Sequence, residues 1–280
     1  MLAPEDYIYL DHNATTPILP EVVEEVQKNL LIHGNPSSSH EIGLKAKSAL
    51  GGYRKLVSEA FGIKTDFVTF MSGGTEVNNT IIHMSVENYW EKVGEKPFVV
   101  TSEIEHPSIL NPLKNLEKKG KLVIGRIPLQ KPYSFDVITV TGHKFGGPAI
   151  AAMISTNSRV QSMLLNHPLL FGGGQEGGKR SGTENLPMIA GLSVAIDLAL
   201  KSASDFDKVR EVRDYLESQL LEKCPAKSFY SNSRRLPNTA SITFPNMEIT
   251  AGELLEECRG TFAASTGAAC HADTVVYVEI

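Results

Sequence analysis

The feature that most restricts the fold is a regular alternation of short apolar runs and longer amphipathic stretches between residues 67 and 155. Residues 67–70, 98–101, 122–129, 136–140 and 149–155 have the length and β-branched content of strands. Residues 75–90 and 107–119 carry apolar side chains at helical spacing. Strand–helix–strand order places helices on the faces of a mainly parallel sheet, so the expected class is α/β. Two helices come first. One opens at Pro20, carries Val22, Val23, Val26 and Leu30, and closes at Gly34; the other covers 41–61 and stops at Gly62. After the glycine-dense stretch Gly172-Gly-Gly-Gln-Glu-Gly-Gly178 the texture changes to long helices over 183–203 and 206–223. A strand at 240–244, a short helix at 251–258 and a strand at 261–265 follow. The expected organisation is a large α/β domain over 1–182 and a smaller α+β domain over 183–280.

One junction breaks the pattern. Only the six residues 130–135 separate the strands at 122–129 and 136–140. Parallel neighbours need a crossover of about a dozen residues or more. Either these strands are antiparallel, or a connecting piece is absent.

Composition narrows the function. A formal charge of −5 leaves no basic footprint for nucleic acid. No apolar run reaches the roughly 20 residues that span a bilayer, so no membrane partner is expected. The first residues resemble neither a signal nor a transit peptide. The three cysteines, Cys224, Cys258 and Cys270, have no paired spacing. That points to a reducing compartment, with the cytoplasm the expected location and no metal site.

Four segments carry candidate chemistry. In Thr139-Val140-Thr141-Gly142-His143-Lys144, an apolar strand ends in hydroxyl, imidazole and amine groups, followed by Gly146-Gly147-Pro148. The carboxyl edge of an open α/β sheet is where such folds bind ligands. There Lys144 can form a Schiff base with a carbonyl cofactor, and Thr141 and His143 can reach a phosphate. The plain alternative is a solvated lysine on a loop. In Ser72-Gly73-Gly74-Thr75-Glu76, glycines between a strand and a helix allow an anion to approach free N–H groups, or they form an ordinary cap. His106, before Pro107, is either a structural residue or a ring that stacks on a cofactor and carries protons. Cys270, beside His271 on a small-residue loop, is either a reactive thiol or a small core residue. Cys224 and Cys258 read as structural.

Taken in order, Asp11-His-Asn-Ala-Thr-Thr-Pro17, Gly34-Asn-Pro-Ser37, Ser72-Gly-Gly-Thr-Glu76, Glu105-His106, Gly142-His-Lys144, Gly172-Gly-Gly-Gln175, Arg180-Ser-Gly-Thr183 and Gly267-Ala-Ala-Cys270 resemble the cysteine desulfurase family of pyridoxal-phosphate enzymes. Gly182-Thr-Glu-Asn185 and Ala269-Cys270-His271 are most similar to its selenocysteine lyase branch. The resemblance implies a fold of the aspartate-aminotransferase type. It implies that Lys144 holds pyridoxal 5′-phosphate covalently, and that Gly74, Thr75, Thr141 and His143 bind its phosphate. His106 would stack on the ring and assist proton transfer. Thr183 would reach the phosphate in a neighbouring subunit, making a homodimer. Cys270 would take selenium or sulfur from selenocysteine or cysteine as a selenopersulfide or persulfide, leaving alanine, with an acceptor protein as a further partner.

The sequence departs from the family pattern at the junction already noted. Between the counterparts of Leu129 and Asp136 the family carries further strand–helix units, roughly 60 residues if two of them are counted. They include an Asp and a Gln that hold the pyridine nitrogen and ring hydroxyl. This chain passes from Arg126-Ile127-Pro128 to Phe135-Asp136-Val137 within a few residues. The family pattern also runs past the cysteine loop to an Arg for the substrate carboxylate, whereas this sequence reaches Ile280. A catalytically inactive form is therefore the alternative expectation.

Overall fold

The computed structural model describes residues 7–127, 135–229, 235–245, 247–266 and 278–279. In chain order the elements are β1 (Ile8–Tyr9), α1 (Pro20–Leu30), α2 (Glu41–Ala60), β2 (Val68–Met71), α3 (Gly74–Val93), β3 (Phe98–Thr101), α4 (Pro107–Lys118), β4 (Val123–Arg126), β5 (Val137–Thr141), β6 (Ala151–Ser155), α5 (Ser158–Asn166), α6 (Leu186–Lys201), α7 (Phe206–Lys223), β7 (Lys227–Phe229), β8 (Ser241–Thr243), α8 (Ala251–Glu257), β9 (Phe262–Ala263) and β10 (Val278–Glu279). They fall into two compact units, Ile18–Leu198 and the combination of Met1–Pro17 with Ala199–Ile280. No single described helix is long and apolar enough to cross a membrane.

The first unit is built around the sheet β2-β6-β5. Its middle strand, β6, is Ala-Ala-Met-Ile-Ser and is buried at every position, as a strand covered on both faces must be. On one face Val68, Phe70, Ala152 and Ile154 meet Ala46, Leu50 and Val57 of α2 and Leu186, Ile189, Leu192 and Ile196 of α6. On the other, Met71, Ala151 and Met153 meet Val77 and Met84 of α3 and Val160 and Leu164 of α5. Each Val, Leu, Ile, Phe or Met among them contributes about 1.5–3 kcal/mol when fully buried, so these layers dominate the stability of the unit. A third cluster, centred on Val86, Leu113 and Leu122, packs α3 and α4 over one face of the parallel pair β3–β4.

The α/β class is as the alternation predicts. Strand directions are mixed: β3–β4 and β1–β9 are parallel, while β2-β6-β5 and β10-β8-β7 are antiparallel. The cause is connection length. Nine residues join β5 to β6, too few for a crossover, so the two strands run in opposite directions. The junction that looked anomalous in the sequence resolves the same way, because β4 and β5 do not pair: β4 lies beside β3 and β5 beside β6.

The division between units also differs from the boundary expected at 182/183. Helix α6 begins just beyond that point, yet its buried face completes the core of the first unit, so the division falls at 198/199. The N-terminal segment joins the second unit because β1 pairs with β9. That unit also holds the sheet β10-β8-β7, α7 and α8. Thr250 and Glu253 close a reciprocal capping box at the start of α8. The segment at 158–166, which the periodicity did not single out, is α5. Its N-cap Asn157 accepts a hydrogen bond from the Val160 N–H.

Candidate active site

Sheet geometry brings two of the four sequence segments to one place. Strands β2 and β5 both run antiparallel to β6 and therefore parallel to each other. In register, Met71 and Thr141 face the same residue, Ala151, from opposite sides. The turn after each strand thus leaves the same edge of the sheet, two strand spacings or about 10 Å apart. One turn is Ser72-Gly73-Gly74-Thr75 and the other is Gly142-His143-Lys144.

At the first turn the 20-residue helix α3 begins at Gly74. Its N-cap, Gly73, offers no side chain to the orphan N–H groups, which leaves them available to an anion along with the positive end of the helix dipole. Gly74 has no room for a side chain: a β-carbon there would lie 2.6 Å from Thr141 Oγ1. The absent β-carbon lets the helix start close onto the Thr141 hydroxyl. The hydroxyl-bearing Thr75 is exposed beside it.

At the second turn Gly142–Lys144 is one turn of 3₁₀ helix. Gly142 is pinned on both sides: its N–H donates to Ile150 O (2.9 Å), and its carbonyl accepts from the N–H groups of Phe145 (3.1 Å) and Gly147 (2.9 Å). Lys144 is exposed at the end of this fixed turn. Burial and the neighbouring Lys144 ammonium push the His143 imidazole below its ordinary pKa.

His106 is the N-cap of α4. Its Nδ1 accepts the Ser108 N–H at 3.0 Å and lies 2.8 Å from Ser108 Oγ. Pro107, at the first helical position, has no N–H to offer. The structural reading of this histidine is therefore correct as far as it goes, and capping through Nδ1 leaves the ring proton of the neutral form on Nε2.

The segment holding Thr183 is anchored by ion pairs that the sequence did not reveal. Arg180 Nε donates to Glu76 Oε1 (2.8 Å), while Ser72 N–H and Oγ donate to Glu76 Oε2 (2.8 and 2.5 Å). Burial acts to raise the Glu76 carboxyl, but Arg180 and the two Ser72 hydrogen bonds outweigh it and hold the group below the usual carboxylate value. Glu176, a non-glycine in the left-handed region at φ 52°, is fixed by Arg54 (2.5 and 2.8 Å) and by the Phe70 N–H (3.0 Å). A cavity of about 340 Å³ beside this segment is lined by Ser72, Ile150, Glu176, Arg180 and Thr183. Both glutamates stood in the glycine-rich motifs, but only the fold reveals their cationic partners. Cys224 and Cys258 terminate α7 and α8 and are half-buried. Cys270 lies outside the described residues.

An exposed amine and an uncapped helix start flanked by hydroxyls share one sheet edge. Helix α4 adds an imidazole whose Nδ1 faces the capping Ser108 N–H. This is the set of groups that an enzyme using a phosphorylated aldehyde cofactor requires. The sequence profile of the Aminotransferase class-V family matches residues 8–137 and 131–279, and the chain belongs to this family of pyridoxal-phosphate enzymes. It is 30% identical to human selenocysteine lyase over 368 aligned positions, covering 97% of this chain and 82% of the relative. It is 31% identical to a cysteine desulfurase of Trichormus azollae, covering 94% of this chain and 80% of the relative. A solved NifS-like protein from Rickettsia africae superposes with a TM-score of 0.76 at 28% identity, over 98% of this chain and 93% of that one. The family profile matches in two pieces that meet at 131–137, and the human alignment is much longer than the 280 residues of this chain. The alignment length shows that the relative has residues without counterpart here, and the split of the family match points to the short junction between β4 and β5.

The site fits the cofactor at its phosphate and aldehyde ends. The uncapped α3 start with Gly74 against the Thr141 hydroxyl offers donors of the kind that would hold a phosphate, and the fixed turn carries the Lys144 amine, the group an aldehyde would take. Of the carboxylates on these turns, Glu76 is engaged by Arg180 and Ser72, and Glu105 accepts from Ser102 Oγ at 3.0 Å.

Proposed function

We propose that this chain is a pyridoxal-phosphate lyase that converts selenocysteine to alanine and reduced selenium, with cysteine as the alternative substrate. The observation that carries the reading is the shared register of Met71 and Thr141 on Ala151, which sets the Gly74 turn and the Lys144 turn at one edge. Selenocysteine is preferred over cysteine because the wording at 182–185 and 269–271 is that of the selenocysteine lyase branch. Relatives bearing that name, from human and Xenopus among others, support the choice.

Bound at this edge, pyridoxal phosphate supplies an electron-withdrawing ring that weakens the bonds at the substrate Cα. The chain supplies the rest. The N–H groups at the start of α3, with Thr75 and Thr141, bind the phosphate dianion. The Lys144 amine would be the group that holds the cofactor's aldehyde end. His106 moves a proton at Nε2. The Cys270 thiolate attacks selenium, the Cβ–Se bond breaks, selenium passes to Sγ, and the carbon skeleton takes up a proton to become alanine. Thr183 reaches the phosphate of a second copy, which makes a homodimer with shared sites. An acceptor protein then takes selenium from Cys270 in a reducing cytosol.

The junction at 131–137 favours a second reading, in which the chain holds the cofactor but turns over little. The missing segment would bring the carboxylate that keeps the pyridine nitrogen protonated, and losing a charge-assisted hydrogen bond removes about 1.5–3 kcal/mol. Turnover assays on the full chain separate the two. The lyase reading predicts alanine formation from selenocysteine that is abolished in Lys144→Ala, with selenium transfer abolished in Cys270→Ala. Retained cofactor with no alanine establishes the second reading.

A further inference from the structure

We propose that Asn78 is a positioning residue for His106, passing a hydrogen-bond polarity from Thr139 on β5 through Ser108 to the imidazole. The inference rests on the reading of His106 as the proton carrier and adds the device that sets its proton. Thr139 Oγ1 donates to Asn78 Oδ1 at 2.7 Å, and Asn78 Nδ2 donates to Ser108 Oγ at 2.8 Å. Ser108 Oγ in turn lies 2.8 Å from His106 Nδ1. Three elements are linked in this way, since Thr139 is on β5, Asn78 on α3, and Ser108 in the first turn of α4. Ser108 is buried, and Asn78 and Thr139 are half-buried, so the relay is largely shielded from water that would otherwise randomise it.

A chain of amide and hydroxyl groups can usually point either way, because a hydroxyl both donates and accepts and an amide can flip. Here one group cannot reverse. The backbone N–H of Ser108 faces His106 Nδ1 at 3.0 Å, which makes Nδ1 an acceptor. The Ser108 hydroxyl must then also donate to Nδ1. It therefore has only lone pairs to offer Asn78, which must turn its NH₂ toward Ser108 and its oxygen toward Thr139. In this polarity each contact of the set has a donor facing an acceptor, with the Ser108 N–H and hydroxyl sharing the Nδ1 lone pair, and in the opposite one the Ser108 N–H would face another N–H. The result is an imidazole with Nδ1 as acceptor and its proton on Nε2, held in place through α3 and the strand that carries Thr141 toward Lys144.

The test is the tautomer of His106, read from long-range ¹H–¹⁵N spectra of histidine-labelled full chain without cofactor. The wild-type ring is expected as the Nε2–H tautomer. Asn78→Asp keeps the shape of the side chain but only accepts, so it draws the Ser108 proton to itself and leaves the Ser108 oxygen to accept from the ring. The ratio of Nε2–H to Nδ1–H should fall by about tenfold, the scale of one charged hydrogen bond. Thr139→Val frees the amide to flip and should shift the ratio the same way by less; it decides the matter if Asn78→Asp does not fold. A role limited to packing would lower thermal stability and leave the tautomer unchanged, and that result, or an Nδ1–H wild-type ring, overturns the proposal. Because no cofactor is present, absence of a Lys144 adduct would leave this result standing, and the converse holds as well.

Discussion

Gly74 and Glu76, two positions apart at the start of α3, face different demands. At Gly74 a methyl group would collide with Thr141 Oγ1, so Gly74→Ala must push the helix start away from the strand end. The account predicts that pyridoxal phosphate binds this variant at least tenfold more weakly, by spectral titration, with little change in unfolding midpoint. Unaltered affinity would show that the phosphate lies elsewhere. At Glu76 the consequence is pH dependence. Its carboxyl is lowered in the fold, so the stabilisation it brings is fully present above the ordinary carboxylate pKa of about 4.3 and is lost as pH falls through the folded value. For a partly solvated pair this is about 1 kcal/mol. Urea titrations should show Glu76→Gln less stable than wild type by that amount at pH 7, with the two converging at acid pH. At this scale the sequence shows which residue types can do chemistry, because Gly-His-Lys and Ser-Gly-Gly-Thr are contiguous. It does not show Asn78, Ser108 or Arg180, whose roles come from partners 30 to 104 positions away.

The pair β3–β4 has one face packed under α3 and α4 and the other face bare. Phe98, Val100 and Val123 are 66%, 50% and 46% exposed, and Ile127 beyond them is 43% exposed. Parallel strands are ordinarily covered on both sides. This is also the end of the chain segment where the family profile breaks. The account predicts that the folded chain binds a hydrophobic dye, and that Val100→Thr with Val123→Thr reduces the signal without lowering the unfolding midpoint. An equally bright double variant would place the dye elsewhere. Element positions were largely legible in the sequence, since apolar period and glycine stops located α2, β3, α4 and α7 to within a residue or so. Strand direction was not, because it depends on pairing partners and connection length. Nor was the unit boundary, because the face of α6 that decides it is apolar in either assignment. Helix α5 escaped the periodicity because it is short, although the Asn157 cap and the Val160/Leu164 spacing signalled it.

At the scale of the molecule, the residues assigned to phosphate, aldehyde and proton transfer, namely Gly74, Thr75, His106, Thr141, His143 and Lys144, all lie in the unit Ile18–Leu198. On the proposed function, the groups of this chain that would take the cofactor belong to one unit, while turnover would also call on Cys270 and on whatever substitutes for the residues without counterpart at 131–137. The two can be separated experimentally, and the first is the more fundamental claim. The most direct test is to incubate the full chain with pyridoxal phosphate, reduce with borohydride, digest and locate the modified peptide by mass spectrometry. A phosphopyridoxyl group on Lys144, absent from Lys144→Ala, is the predicted result; a group on another lysine, or none on a chain shown to be folded, contradicts the account.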